Sequence, residues 1–322
     1  MHCVSDRAPH SAFTDLALFR ERLWCAFREG ESHALCPGKI RVMSSKDGLQ
    51  WKDEEVFSLE GQDLRDPHFA LRPDGTLELI MGRAGLKDGR YSDRGNLETI
   101  LDTTGWRPLS PICQSGDWLW RADWDDSGRA WGISYRLPGP RHWTVHLMTR
   151  RSGEAWREQG ELPIKGLPNE ATVRSFPDGR LYILLRRETD RLGTTKARAL
   201  VGIGSSLPSR AKERRGGIDE DKDSVIRWKW HRLPWRIGGP NLIPLSGPRR
   251  GAVAGFRLLT RDTSGSLTGR TVIASCPPAT KSTEPLPLEK LRLELELPSS
   301  GDCSYPGLVE QDGQLLVSWY SS

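Results

Sequence analysis

One phrase recurs along this chain: an apolar alternating stretch, a tight turn, then a second apolar stretch. Its clearest copies are Phe69-Ala70-Leu71, Pro73-Asp74-Gly75, Leu77 to Met81, and Ala171-Thr172-Val173, Pro177-Asp178-Gly179, Leu181 to Leu184. A third is Leu308-Val309, Asp312-Gly313, Leu315-Leu316-Val317. Asp-Gly between alternating apolar runs marks a β-hairpin, because the turn needs positive φ, which these two residues tolerate. Weaker copies surround Arg20-Glu21 (Leu16 to Arg28), Asp126-Ser127-Gly128 (Arg121 to Tyr135) and Ser246-Gly247-Pro248 (Asn241 to Phe256), which makes six.

Between copies comes another strand, a turn and a tryptophan: Ile40 to Trp51, Leu97 to Trp106, Trp143 to Trp156, and Leu200 to Trp230. The unit is about four strands in roughly 50 residues, the spacing of propeller blades. Helical periodicity is nowhere sustained, and 22 prolines with 33 glycines punctuate the chain too often for long helices. The expectation is an all-β, six-bladed β-propeller forming a single domain over residues 1–322, its last blade incomplete because the sixth copy stops after its second strand.

Composition narrows the function. No apolar run of about 18 residues is present, so no membrane partner is expected. Residues 1–7 lack the basic start and apolar stretch of a secretory signal, which places the chain as written in the cytoplasm. A net charge of +5 arises from 47 basic against 42 acidic residues, close enough to balance that no nucleic acid is required. The densest basic run, Arg210 to Arg215, sits beside the acidic stretch Asp219 to Asp223; residues 205–227 read as one charged, solvated insertion. Six scattered cysteines without metal spacing read as buried free thiols, and no metal or organic cofactor is implied.

In a propeller, the start of each blade's innermost strand faces the central channel. Those positions are Ser11-Ala12-Phe13, Arg65-Asp66-Pro67-His68, Trp120-Arg121-Ala122-Asp123, Asn169-Glu170-Ala171, Gly239-Pro240-Asn241 and Asp302 to Pro306, including Tyr305. Converging charges there must pair with one another or meet a ligand.

Ser45-Lys46-Asp47-Gly48-Leu49-Gln50-Trp51 resembles, in shortened form, the Asp-box (BNR repeat) of sialidases, and Arg151 to Trp156 a decayed second copy. Asn169-Glu170-Ala171-Thr172-Val173, continuing through Asp178-Gly179 to Arg186, is similar to the sialidase segment in which a glutamate opens an inner strand and an arginine closes the return strand. Ser304-Tyr305-Pro306-Gly307 looks like the stretch carrying the sialidase (neuraminidase) nucleophile.

The resemblance implies a retaining exo-glycosidase acting on a terminal, acidic sugar of a carbohydrate or glycoconjugate. Tyr305 would attack the anomeric carbon, Glu170 would take its proton, and Arg186 would hold the substrate carboxylate. Sialidases are an exception to the two-carboxylate rule of glycoside hydrolysis. Two parts of the family pattern are missing. Its first-blade arginine falls at Ala12, and its general acid near Cys36-Pro37-Gly38, where no aspartate stands. Arg28, Glu29, Glu31 and His33 lie just upstream; Arg28, Arg65, Arg121 and Arg257 are available as substrate-binding arginines, and Asp66 or His33 as the acid.

Two other readings stand beside this one. Arg65-Asp66-Pro67 resembles an element of five-bladed furanosidase-type glycosidases and related phosphorylases, in which Asp66 and Glu170 would form the usual carboxylate pair. A non-catalytic carbohydrate-binding propeller would keep the 13 tryptophans for packing or sugar stacking. There Glu170 would pair with Arg186 and Tyr305 would only pack.

Overall fold

A computed structural model describes residues 1–189, 197–206, 226–246, 251–261, 263–281, 283–299 and 301–321. It is all-β, with one short 3-10 turn at Leu288–Lys290, and none of its described helices is long and apolar enough to cross a membrane. The charged run from Arg210 to Asp223 lies outside the described residues.

Six antiparallel units follow one another. The first contains β1 (His10–Phe19), β2 (Arg22–Gly30), β3 (Gly38–Ser45) and β4 (Lys52–Phe57). The second contains β5 (Gln62–Leu71), β6 (Leu77–Lys87), β7 (Arg90–Leu101) and the three-residue β8 (Ser110–Ile112), and is linked to the first by one parallel pair, Gly38 with Asp63. The third runs β9 (Trp118–Trp124), β10 (Arg129–Gly139), β11 (His142–Arg151) and β12 (Arg157–Leu162). The fourth runs β13 (Pro168–Ser175), β14 (Leu181–Arg187), β15 (Leu200–Ser206) and β16 (Ile226–Arg232). The fifth runs β17 (Arg236–Pro244), β18 (Ala252–Arg261), β19 (Leu267–Cys276) and β20 (Arg292–Glu296); its outer strands carry no tryptophan turn and were not legible as a half-repeat. The sixth is a hairpin, β21 (Cys303–Gln311) with β22 (Gln314–Ser321).

The turns use their residues in two ways. Asp312 and Gly313 both have positive φ, 50° and 74°, as a two-residue hairpin with the matching twist requires. In Pro73-Asp74-Gly75 only the glycine is left-handed, and the aspartate side chain instead accepts the Thr76 N–H at 3.1 Å. The turn at 45–51 is closed by side chains: Ser45 Oγ accepts the Gly48 N–H at 2.9 Å, Asp47 Oδ1 accepts those of Leu49 and Gln50 at 2.9 Å each, and Trp51 Nε1 donates to Gly48 O at 3.1 Å.

Apolar residues of neighbouring sheets meet face to face. Ala17, Ile40 and Val42 of the first pack on Leu64, Leu77 and Met81 of the second. Ile80 packs with Leu119 and Met148, Val145 with Val173 and Ile183, Leu184 and Val201 with Leu242 and Phe256, and Val253 with Leu308. Leu16, Leu23 and Phe27 of the first sheet pack against Val309 of the last. All six cysteines are free; Cys25, Cys276 and Cys303 are buried, while Cys36 and Cys113 are half-buried and Cys3 is exposed.

Every first strand carries a register shift at the same place: between Ala12 and Asp15, Arg65 and His68, Leu119 and Ala122, Pro168 and Ala171, Gly238 and Asn241, and Ser304 and Gly307. Such a bulge re-aims a side chain next to the ladder. At four of the six the bulged residue is left-handed: Phe13 (φ 57°), Asp66 (52°), Gly239 (55°) and Tyr305 (50°). Three of these are not glycine, a conformation that is strained and persists only where the surroundings enforce it.

Candidate active site

The bulges bring Tyr305, Glu170 and Asp66 together from the sixth, fourth and second sheets. Tyr305 Oη donates to Glu170 Oε1 at 2.9 Å, Arg186 donates to the same oxygen at 2.7 Å, and the Gly239 N–H reaches Oε2 at 2.6 Å. Glu170 is 6% exposed. Burial raises its carboxyl, but the Arg186 charge and hydrogen bond, together with the Gly239 N–H, outweigh that and leave it below the usual carboxylate range. Tyr305 moves the other way: burial, then the charges of Glu170 and Asp66, push its phenol well above 10.

Asp66 is held differently. Trp118 Nε1 donates to its Oδ2 at 3.2 Å, and Oδ1 is buried without a hydrogen-bond partner. Burial raises its carboxyl to about 6; the Arg65 charge opposes this, and the charges of Glu170 and Asp63 add to it. Two carboxylates in one site are thus driven apart, one ionised and one titrating near pH 6, the pattern that separates acid from base.

The candidate arginines fall into three groups. Arg186 bridges Glu170 and Glu188, the second at 2.6 Å, and Arg257 donates to Asp302 at 2.9 Å; the two guanidiniums flank Gly238. Each keeps a buried Nε with no hydrogen-bond partner. Arg65 lies 4.6 Å over the Phe13 ring and donates to Tyr91 Oη at 2.8 Å and to His33 O at 3.2 Å. Arg28 and Arg121 are elsewhere engaged. Arg28, 0% exposed, donates to Asp63 (2.7 Å), to Ser32 O (2.8 Å) and to Cys36 O and Sγ, tying down the loop between β2 and β3. Arg121 pairs at 2.8 Å with Asp15, whose same oxygen accepts the Phe69 N–H, so it links the first three sheets.

Ala12 is fully buried, and the neighbouring Phe13 ring occupies the space in front of Tyr305, their centroids 4.7 Å apart. His33 sits on the β2–β3 loop with Nδ1 2.6 Å from Asp302 Oδ2 and its ring edge-on to Phe13. A cleft of about 340 Å³ opens beside Asp66's partner, lined by Tyr91, Arg94, Trp118 and Tyr135.

Three contributors escaped the sequence reading. Gly239 falls on an inner strand in the sequence, but a backbone N–H has no sequence signature. Glu188 and Trp118 become partners only through pairing registers, Trp118 opposite Tyr135 and Asn169 donating to Glu188 at 3.0 Å.

No protein-family profile matches the sequence, and no curated protein matches it. Solved structures do. A protein of unknown function from Dyadobacter fermentans superposes with TM-score 0.72 at 16% identity, covering 97% of this chain and 91% of that one. The Hadza microbial sialidase Hz136 follows at 0.63 and 14%, covering 97% and 63%, and the Trypanosoma rangeli sialidase at 0.66 and 11%, covering 95% and 52%. The intramolecular trans-sialidase from Ruminococcus gnavus gives 0.62 at 11%, covering 96% and 89%. This chain therefore spans about half of the T. rangeli chain, and at these identities the likeness is one of fold: the fold is sialidase-like.

Proposed function

We propose that this protein is a sialidase-like exo-glycosidase: a single six-bladed propeller over residues 1–322 that hydrolyses a terminal acidic sugar with retention. The six-bladed reading is supported by apolar layers between every consecutive pair of sheets and between the last and the first.

The observation that carries the chemistry is the buried 2.9 Å bond from Tyr305 to Glu170. A phenol is a weak nucleophile unless a base removes its proton as it attacks. With the phenol raised and the carboxylate lowered, transfer in the resting site is uphill. The proton therefore moves only as the bond from Tyr305 Oη to the anomeric carbon forms. Asp66 protonates the departing glycosidic oxygen, which its position near pH 6 allows under mildly acidic conditions. In the second half-reaction the Asp66 carboxylate takes a proton from water, the water oxygen bonds the anomeric carbon as the bond from that carbon to Tyr305 Oη breaks, and Glu170 returns its proton to the released phenolate oxygen. Arg186, bonded to Glu170, and Arg257, whose charge also acts on that carboxylate, hold the sugar's acidic group.

The separated carboxyls favour a second reading, in which Asp66 and Glu170 act as the two-carboxylate pair and Tyr305 is not a nucleophile. One experiment distinguishes them: turnover of a fluorogenic sialoside and a panel of neutral and uronic glycosides by wild type, Tyr305→Phe and Glu170→Gln. Sialoside turnover abolished by both substitutions supports the first reading. Activity that survives Tyr305→Phe but needs Asp66 and Glu170 supports the second. No turnover by the folded protein leaves a carbohydrate-binding propeller.

A further inference from the structure

We propose that His10, His33 and Asp302 form a binding site for a divalent first-row transition ion of the zinc type. The three come from distant parts of the chain: His10 opens β1, His33 lies on the β2–β3 loop, and Asp302 immediately precedes β21. One ligand atom from each lies within 4.8 Å of the other two. His33 Nδ1 is 2.6 Å and His10 Nε2 3.9 Å from the same oxygen, Asp302 Oδ2. Ligands bound at about 2.0–2.2 Å around a tetrahedral ion stand about 3.4 Å apart, between those two distances. Small side-chain shifts suffice.

The donor set chooses the ion. Two imidazoles and one carboxylate suit zinc and its neighbours, whereas magnesium and calcium prefer oxygen ligands throughout. Three protein ligands leave one position for water, and His33, 46% exposed, gives the ion a route in. Several contacts orient the ligands. Arg257 donates to Asp302 Oδ1 at 2.9 Å and Tyr320 Oη to Oδ2 at 3.1 Å, while His33 packs edge-on to both His10 and Phe13.

Positive neighbours oppose a cation, and the carboxylates beside them offset part of that charge. Arg28 and Arg65 face Asp63 at 2.7 and 3.6 Å, and Arg257 uses the carboxylate oxygen that the ion does not need. The ion would fasten the start of β1 and the β2–β3 loop to the strand that carries Tyr305. This does not depend on the reaction proposed above.

The test is calorimetric titration of the full chain, stripped with chelator, using zinc chloride, alongside thermal melts. One saturable equivalent and a raised Tm are expected, and cobalt(II) should give the intense visible bands of a four-coordinate site. His33→Ala and Asp302→Asn should each weaken binding by about 10–100-fold or more, with metal-free melts of His33→Ala like wild type because that side chain is half in solvent. His142→Ala, an exposed histidine elsewhere, should bind as wild type does. Absence of a saturable equivalent overturns the proposal. So does binding that survives both His33→Ala and Asp302→Asn, which would place the ion at other histidines or cysteines.

Discussion

Gly239 leaves the space that the Tyr305 ring fills: a Cβ on Gly239 would stand 3.1 Å from Tyr305 Cδ2 and 2.7 Å from Ser304 Oγ. The same residue is left-handed and offers its N–H to Glu170, so one glycine seats the Tyr305 ring and helps ionise the Glu170 carboxyl. Gly239→Ala is expected to cost about 1–3 kcal/mol through the strained backbone alone, read as a lower denaturant midpoint. The proposed glycosidase activity should fall at least tenfold, because the ring and the Glu170 carboxylate cannot both keep their places. A variant of wild-type stability and activity would show that the bulge is only decorative.

How much of this was legible in the sequence depends on distance along the chain. The Asp-Gly turns at 74–75, 178–179 and 312–313 announce hairpins because the chemistry that makes them is local. Glu170 and Arg186 sit on paired strands and could be read as partners. The roles of Arg28 and Arg121 could not. Each looks like an available cation until the fold shows it bonded to Asp63 or Asp15, which lie 35 and 106 positions away. Nor does sequence foretell that six bulges share one register, since nothing in Phe13 or Trp120 marks a kink.

In the proposed mechanism Asp66 makes activity depend on pH. If it is the acid that protonates the leaving group, kcat/KM should decline as pH rises above about 6, and Asp66→Asn should lose about 10²–10⁴-fold on substrates with poor leaving groups. Activated aryl glycosides, which need little protonation, should lose less. An unchanged alkaline limb in Asp66→Asn would remove Asp66 from that role.

The same residue bears on stability, with the sign opposite to most carboxylates. Its folded value of about 6 lies above the ordinary 3.8, so the native state binds the extra proton and stability falls as pH rises from about 4 to 6. His68 opposes it. Burial, then the Arg121 charge, lowers that imidazole to about 4, so stability rises with pH between about 4 and 6.5. Each shift corresponds to about 3 kcal/mol at most, so the contributions of these two groups nearly cancel across this window. Asp66→Asn, which keeps the left-handed backbone accessible, should be more stable than wild type at pH 7 by about 1–3 kcal/mol, and its stability should slope more positively than that of wild type from pH 4 to 6. Denaturant melts at four or five pH values would read both effects; a variant no more stable at pH 7 would contradict the strained, desolvated Asp66.

Arg28 is a test of the loop rather than of the chemistry. Removing it leaves Asp63 buried with Tyr91 Oη at 2.7 Å and Arg65 at 3.6 Å, and frees the carbonyls of Ser32 and Cys36. Breaking a buried pair from one side costs about 3–5 kcal/mol, so Arg28→Ala should melt far below wild type. Arg28→Met with Asp63→Leu should recover part of the loss, since no charge is then left unpaired. A mild single-variant effect would mean that Arg65 takes over the aspartate.

Tyr305 and Glu170 act, in the proposed mechanism, as one device, and their substitutions should not add. Tyr305→Phe removes the attacking oxygen, and Glu170→Gln keeps the shape while abolishing the base. Each is expected to lower kcat by about 10²–10⁴-fold, and the double variant should fall no further than the weaker single, because a base without its nucleophile has nothing to do. The two-carboxylate mechanism gives a different cycle: Tyr305→Phe has a small effect of its own, and the double variant multiplies it with that of Glu170→Gln. Measuring the four kcat values on one substrate therefore reports whether the 2.9 Å bond between these side chains is used in the reaction or merely packs the centre of the fold.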